Sequence, residues 1–270
     1  MASRTLGNIL YLLLPSLRKI PLKNLDVLFP QMPLEGKLRI VESYFRQQCQ
    51  QIWELIFVYC FPKLIKELIE DDSAHNVIDE LLEKHRTVLT LSLHFGNWEL
   101  LGAELVASGY KLSSVFLKPR SSFVGRLFFK FRNKAGINLV EHNEIIRLAR
   151  VVRGGGLLAL IADHDGGADG ARMNWNGTEV SFPSGPARLA SRFDLPVVGL
   201  SMERASRGLH RVRAKVLYLP GEKAVSPDSM TKTFLDFIDG EVRRKPSQWL
   251  LLYDRFKKRT YDRSETNEFL

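Results

Sequence analysis

Thr87-Val88-Leu89-Thr90-Leu91-Ser92-Leu93-His94-Phe95-Gly96-Asn97-Trp98-Glu99 is the stretch on which the reading of this chain turns. Its first seven residues are almost all apolar or β-branched, the composition of a strand buried on both faces. Gly96 then permits a tight turn, Asn97 is placed to cap a helix, and Leu100, Leu101 and Leu105 give that helix an apolar side. Open α/β sheets form their binding crevices beyond the C-terminal ends of the strands, which is where His94 falls.

The same alternation continues downstream. Residues 88–93, 114–117, 157–161, 196–202 and 212–217 read as strands, and residues 98–107, 122–134, 144–153, 185–193 and 229–244 read as helices. The expected fold class is α/β, an αβα sandwich around a mixed, largely parallel sheet, with an N-terminal helical segment. Ahead of residue 83 the pattern is helical: over residues 38–61, Val41, Tyr44, Phe45, Cys49, Ile52, Leu55 and Ile56 fall on one broad apolar face. No repeat or Ser/Gly linker breaks the chain. The expected organisation is a helical, membrane-proximal segment over 1–83 and an α/β domain over 84–270, forming one continuous unit.

At 270 residues with 45% hydrophobic content, the chain can bury a packed core, which excludes disorder as its main state. Cys49 and Cys60 share neither a metal-ligand spacing nor a redox motif, and are expected to be reduced thiols in a cytosolic compartment. The 39 Lys and Arg against 30 Asp and Glu leave a formal charge of +9, which favours anionic partners. The candidates are phospholipid head groups, acidic carrier proteins, phosphorylated substrates and nucleic acid. Nothing matches a nucleic-acid-binding motif, so no nucleic-acid partner is expected. The apolar run over residues 6–17 is too short to span a bilayer, which needs about 20 residues. Followed by Arg18, Lys19 and Lys23, it suits an interfacial helix and an ordinary core helix equally.

His94 and Glu99 are the candidate catalytic pair. Glu99 falls in the first turn of its helix, where the helix dipole favours its charge and the turn can fold it back towards the imidazole. A carboxylate on one ring nitrogen supports the positive charge that develops as the other takes a proton. The spacing alone does not decide this, because His75 with Glu80 and His164 with Asp169 repeat it. Context separates His94, whereas His75 lies in a polar helix and is expected to be exposed. A second loop, Ala162-Asp163-His164-Asp165-Gly166-Gly167, also follows a buried strand. Its acids and histidine suit an active site, a metal site or an Asp/Gly-rich turn. In Phe182-Pro183-Ser184-Gly185-Pro186-Ala187, Ser184 or Gly185 starts a helix whose free amides suit an anion. Lys118, Arg120, Arg126, Lys130, Arg132 and Lys134, interleaved with Phe123, Phe128, Phe129 and Phe131, combine phosphate-binding cations with aromatic surface. The alternative for that segment is an amphipathic helix with a solvated basic face.

Taken in order, these blocks resemble the bacterial lipid A biosynthesis acyltransferases, late enzymes of the lysophospholipid acyltransferase superfamily that add secondary acyl chains. The resemblance begins at Asn24-Leu25 and Leu28-Phe29-Pro30 and runs through the His94 to Glu99 motif, Arg132, Asp163 and Ser184-Gly185-Pro186-Ala187. It closes with Pro246-Ser247-Gln248-Trp249 and Arg255-Phe256-Lys257. Tyr253-Asp254 stands where that family often has a His-Arg pair, and little precedes Leu6.

The resemblance implies an O-acyltransferase with His94 as base, Glu99 as its partner, and Arg132 and Asp163 as further active-site residues. The expected substrate-binding set is Arg132, Asp163, Ser184 and Gly185. The expected donor is a thioester of acyl carrier protein or acyl coenzyme A, with no cofactor or metal. The expected acceptor is a hydroxyl of a lipid A precursor or related glycolipid or phospholipid, met at an anionic membrane, on the cytoplasmic face of the bacterial inner membrane. Backbone amides near Gly96 or Gly185 are the expected oxyanion donors. The alternatives are a metal-dependent hydrolase built on His94, Asp163, His164 and Asp165, and a non-catalytic protein binding anionic lipid.

Overall fold

A computed structural model describes residues 2–71, 73–116, 123–205, 208–221 and 225–257, with only the backbone described at 2, 123 and 124. Helices Ala2–Leu13 (α1), Lys19–Leu28 (α2) and Leu34–Cys60 (α3) come first, followed by a short strand Ile69–Asp71 (β1) and helix Ala74–Lys84 (α4). Strand Thr87–Ser92 (β2) leads into helix Trp98–Ala107 (α5). Then come Leu112–Phe116 (β3), Phe123–Lys134 (α6), Asn138–Glu141 (β4), Ile145–Gly154 (α7) and Gly156–Ile161 (β5). Strands Ala171–Trp175 (β6) and Thr178–Phe182 (β7) form a separate hairpin, after which Gly185–Phe193 (α8), Val197–Arg204 (β8), His210–Tyr218 (β9) and Pro227–Arg244 (α9) complete the fold.

The main sheet has seven strands in the order β1-β9-β8-β2-β5-β3-β4, parallel throughout except where β9 runs antiparallel to β8. β2 is buried at every residue and lies between β8 and β5, as its apolar and β-branched composition requires. Successive side chains of a strand point to opposite faces. Leu89, Leu91 and Leu93 accordingly enter one hydrophobic cluster, with Leu25, Tyr44, Phe45, Ala187, Phe234 and Trp249. Val88 enters the other, with Leu55, Ile78, Leu100, Leu105 and Leu200. The chain is thus an αβα sandwich, and α2 and α3 share its core.

The strands expected over 88–93, 157–161, 196–202 and 212–217 match β2, β5, β8 and β9 to within a few residues, and β3 begins two residues before the expected 114. Residue 117 of that expected strand and residue 122 of the expected helix lie outside the described residues, as do Lys118 and Arg120. Strands β1 and β4 have three and four residues, too short for a periodic signal. The β6–β7 hairpin did carry a signal: its turn is Asn176-Gly177, with φ of 53° and 82°, the residue pair that suits a two-residue hairpin turn.

Gly96 shows how tightly the β2–α5 connection is built. Its φ is +59°, its N–H donates to the Gln248 carbonyl at 2.9 Å, and a Cβ there would lie 1.7 Å from the Met202 carbonyl oxygen. Gly96→Ala must therefore displace backbone on a central strand as well as adopt a disfavoured φ. A loss of at least about 2 kcal/mol of unfolding free energy is expected. Urea unfolding of the variant measures it, and a loss below about 0.5 kcal/mol would show that the turn is not constrained in this way.

Candidate active site

β2 and β5 are adjacent and parallel, with Ser92 opposite Ile161. Two residues further along each strand stand His94 and Asp163, so the register itself sets them side by side. The His94 backbone N–H donates to Asp163 Oδ2 at 3.0 Å, and His94 Nδ1 meets Asp163 Oδ1 at 2.7 Å. Trp249 Nε1–H also donates to Oδ2, at 2.8 Å. Asp163 is 1% exposed. Burial by itself raises its carboxyl pKa, but the charge and hydrogen bond of His94, the His164 ring and the Trp249 N–H outweigh that and hold it well below the usual carboxylate range. An ionised carboxylate can only accept, so Nδ1 carries the proton and Nε2 presents its lone pair. Nε2 has no hydrogen-bond partner among the described residues, and the side chain is 17% exposed.

Glu99 is not the partner of His94, contrary to the expectation from the motif. Asn97 caps α5 by accepting the Leu100 N–H at 3.1 Å, and Glu99 in that first turn faces α6. There Arg132 grips it with two bonds, Nε to Oε2 at 2.8 Å and Nη2 to Oε1 at 2.5 Å. Burial alone lowers the Arg132 pKa, yet the Glu99 carboxylate more than reverses this. Spacing along one segment placed Glu99 near His94, but a neighbouring strand supplies the carboxylate that reaches the ring. The motif therefore holds two pairs side by side, His94–Asp163 and Glu99–Arg132.

His164 stacks on His94, with centroids 4.1 Å apart and planes 10° from parallel, and Tyr253 stacks on its other side at 4.0 Å. Trp98 meets His94 edge-on at 5.0 Å. Ligand atoms of His94, Asp163 and His164 lie within 4.8 Å of one another, the grouping the metal-hydrolase alternative needs. An imidazole binds a metal in its own ring plane at about 2.0–2.1 Å, and two stacked parallel rings do not aim their lone pairs at one ion. Asp165 is used structurally: its Oδ1 accepts the Gly167 N–H and its own N–H donates to Tyr253 Oη, both at 3.0 Å.

Other expected residues take different places. Ser184 Oγ donates to the Asp169 carbonyl at 3.1 Å, in the loop that follows Asp163, and Gly185 opens α8. The Gly96 N–H is committed to the Gln248 carbonyl and is not an oxyanion donor. Along α6, Phe131 is buried and Phe128 packs against the core, while Lys134 donates to the Tyr59 carbonyl. His75 is mostly buried rather than exposed, 3.2 Å from Glu104, because α4 packs on the sheet.

Residues not singled out beforehand as site residues complete the frame. Trp249 and Tyr253 brace Asp163 and His164, and Asn24 Nδ2 holds the carbonyls of Leu251 and Tyr253 at 2.9 and 2.8 Å. The available signal was chemical: a buried Trp N–H or Asn carboxamide must find a partner. Beside the Glu99–Arg132 pair, a narrow cleft of about 50 Å³ runs between α5 and the sheet. It is lined by Trp98, Leu101, Gly102, Leu105, Leu112, Ile137 and Leu200, with Thr90 and Ser92 on the β2 side.

A histidine with a buried carboxylate on one nitrogen and a lone pair on the other, next to an apolar cleft at the edge of an αβα sheet, defines a class. It is equipped to activate a hydroxyl beside a bound apolar chain. Residues 1–258 match the family described as bacterial lipid A biosynthesis acyltransferase, and the chain belongs to that family. It is an acyltransferase enzyme with lipid A acyltransferase activity. No curated protein matches the chain.

Burial, aided by the neighbouring His94, depresses His164 from 6.5 to about 4. The unfolded chain is then the better proton binder between those values, so stability falls as pH drops from 6.5 towards 4. The expected loss between pH 7 and pH 5 is about 2 kcal/mol. His164→Phe keeps the ring stack without the titration and should lose less over that interval by urea unfolding. An equal loss in both proteins would rule this origin out.

Proposed function

We propose that the chain transfers a fatty acyl group from a thioester, carried by acyl carrier protein or coenzyme A, to a hydroxyl of a lipid A precursor or related glycolipid or phospholipid. His94 is the general base in this reading, and Asp163 takes the orienting role the motif suggested for Glu99. The observation that carries it is the 2.7 Å contact between His94 Nδ1 and Asp163 Oδ1, which leaves Nε2 as the proton acceptor. As the acceptor oxygen attacks the thioester carbonyl carbon, its proton passes to Nε2. When the tetrahedral intermediate collapses, the C–S bond breaks and the imidazolium returns the proton to the leaving thiolate. Asp163 stabilises the imidazolium in between.

The apolar cleft suits the acyl chain of the donor, with Arg132 at its mouth supplying positive charge towards the oxyanion. Arg132 spends Nε and Nη2 on Glu99, and Nη1 has no partner among the described residues. Apolar side chains exposed on α1 (Leu12, Leu13) and on the second half of α3 (Trp53, Ile56), together with the charge of +9, support a peripheral seat on an anionic bilayer. We place that seat at the cytoplasmic face of the inner membrane. Among the described residues no helix is long and apolar enough to cross a membrane.

His94→Ala should lower kcat by at least about 100-fold in transfer from labelled acyl carrier protein to a lipid A precursor, and Asp163→Asn by a comparable factor. Turnover near the parent level in His94→Ala would overturn the reading. A Cβ at Gly102 would point at Ile137 and Leu112 in the cleft, 3.0 and 3.8 Å away. Gly102→Leu should therefore shift donor preference towards shorter acyl chains by about tenfold in competing kcat/KM values. An unchanged chain-length profile would remove the cleft from the proposal.

A further inference from the structure

Asn97 stands between His94 and Glu99 and is fully buried, so each polar atom of its carboxamide needs a partner. The oxygen accepts the Leu100 N–H and caps α5. This turns Nδ2 the other way, where it donates to Glu54 Oε2 of α3 at 2.9 Å. Glu54 is itself held from the far edge of β8 and β9. Arg204 reaches it through Nη2 to Oε2 at 2.9 Å and through Nη1 to Oε1, and His210 Nε2 lies 3.1 Å from Oε2. Arg204 and His210 are both buried. Burial raises the Glu54 carboxyl pKa, but the bonds from His210 and Arg204 override it and bring the value to about 2. A carboxylate kept ionised inside the protein, touching the catalytic turn but not His94, has no part in the chemistry above.

We propose that Glu54 is a positioning residue for His94, and that its grip on the Asn97 carboxamide sets the turn between the base and α5. Other holds on this turn come from the end of β5 and from the C-terminal segment: His94 N–H to Asp163, Leu250 N–H to the His94 carbonyl at 2.9 Å, and Gly96 N–H to the Gln248 carbonyl. Glu54 is the hold from the helical side. Without it the Asn97 amide is buried with no acceptor, and the turn relaxes to find one. The imidazole moves with the turn, and a displacement of about 1 Å is enough to cost a reaction up to about 100-fold in rate. The clamp touches neither expected substrate, so the loss falls on kcat.

The inference rests on His94 being the base, and the experiment separates the two. Asn97→Ser keeps a hydroxyl cap for Leu100 but is too short to reach Glu54, so it should fold. It should lower kcat by about tenfold or more, with KM changed by less than about twofold. Asn97→Asp sets two carboxylates against each other and should be slower still. Full kcat in Asn97→Ser or in Asn97→Asp overturns the clamp even where His94→Ala is inactive. An active His94→Ala overturns the general-base reading instead.

Discussion

The carboxylate of Asp163 is the constraint on which the rest depends. A charge buried to this degree is tolerated only when hydrogen bonds replace its lost water, and charge-assisted bonds of this kind contribute about 1.5–3 kcal/mol each. Three donors supply them: the His94 backbone, the His94 ring and the Trp249 indole. The donors come from two segments and the acid from a third, so satisfying one charge ties the end of β2, the end of β5 and the C-terminal segment together. Asn24 extends the tie to α2 by holding the carbonyls of Leu251 and Tyr253. The blocks at the two ends of the chain therefore meet at the same place, behind His94.

The arrangement separates two jobs that one motif suggested for one pair. His94 and Asp163 form a hydrogen-bonded pair, while Glu99 and Arg132 form a bidentate ion pair beside the apolar cleft. The division follows from geometry. The capped first turn of α5 points Glu99 towards α6, and the parallel register delivers Asp163 to the ring. The stack of Tyr253, His164 and His94 then limits rotation of the imidazole, and burial keeps His164 neutral beside it at ordinary pH.

Much of this was legible in the residues. The apolar run 87–93 marked the central strand, Gly96 and Asn97 marked the turn and cap, and the Asp163 loop after a second buried strand marked the same sheet edge. The Asn176-Gly177 pair carries an equally local signal for the β6–β7 hairpin turn. The exposure expected for His75 failed because a polar stretch of sequence does not reveal which of its faces packs on a sheet.

By itself the sequence determined the αβα class, the placing of His94 and Asp163 at strand ends, and the family to which the ordered blocks point. These depend on local composition and periodicity, which neighbouring residues carry. Only the tertiary structure decided that Asp163 rather than Glu99 bonds the imidazole, that Arg132 takes Glu99, and that Glu54 reaches across to Asn97. Those pairings follow from strand order, strand register and helix packing. Such contacts join residues far apart in the chain, and no spacing within one segment encodes them.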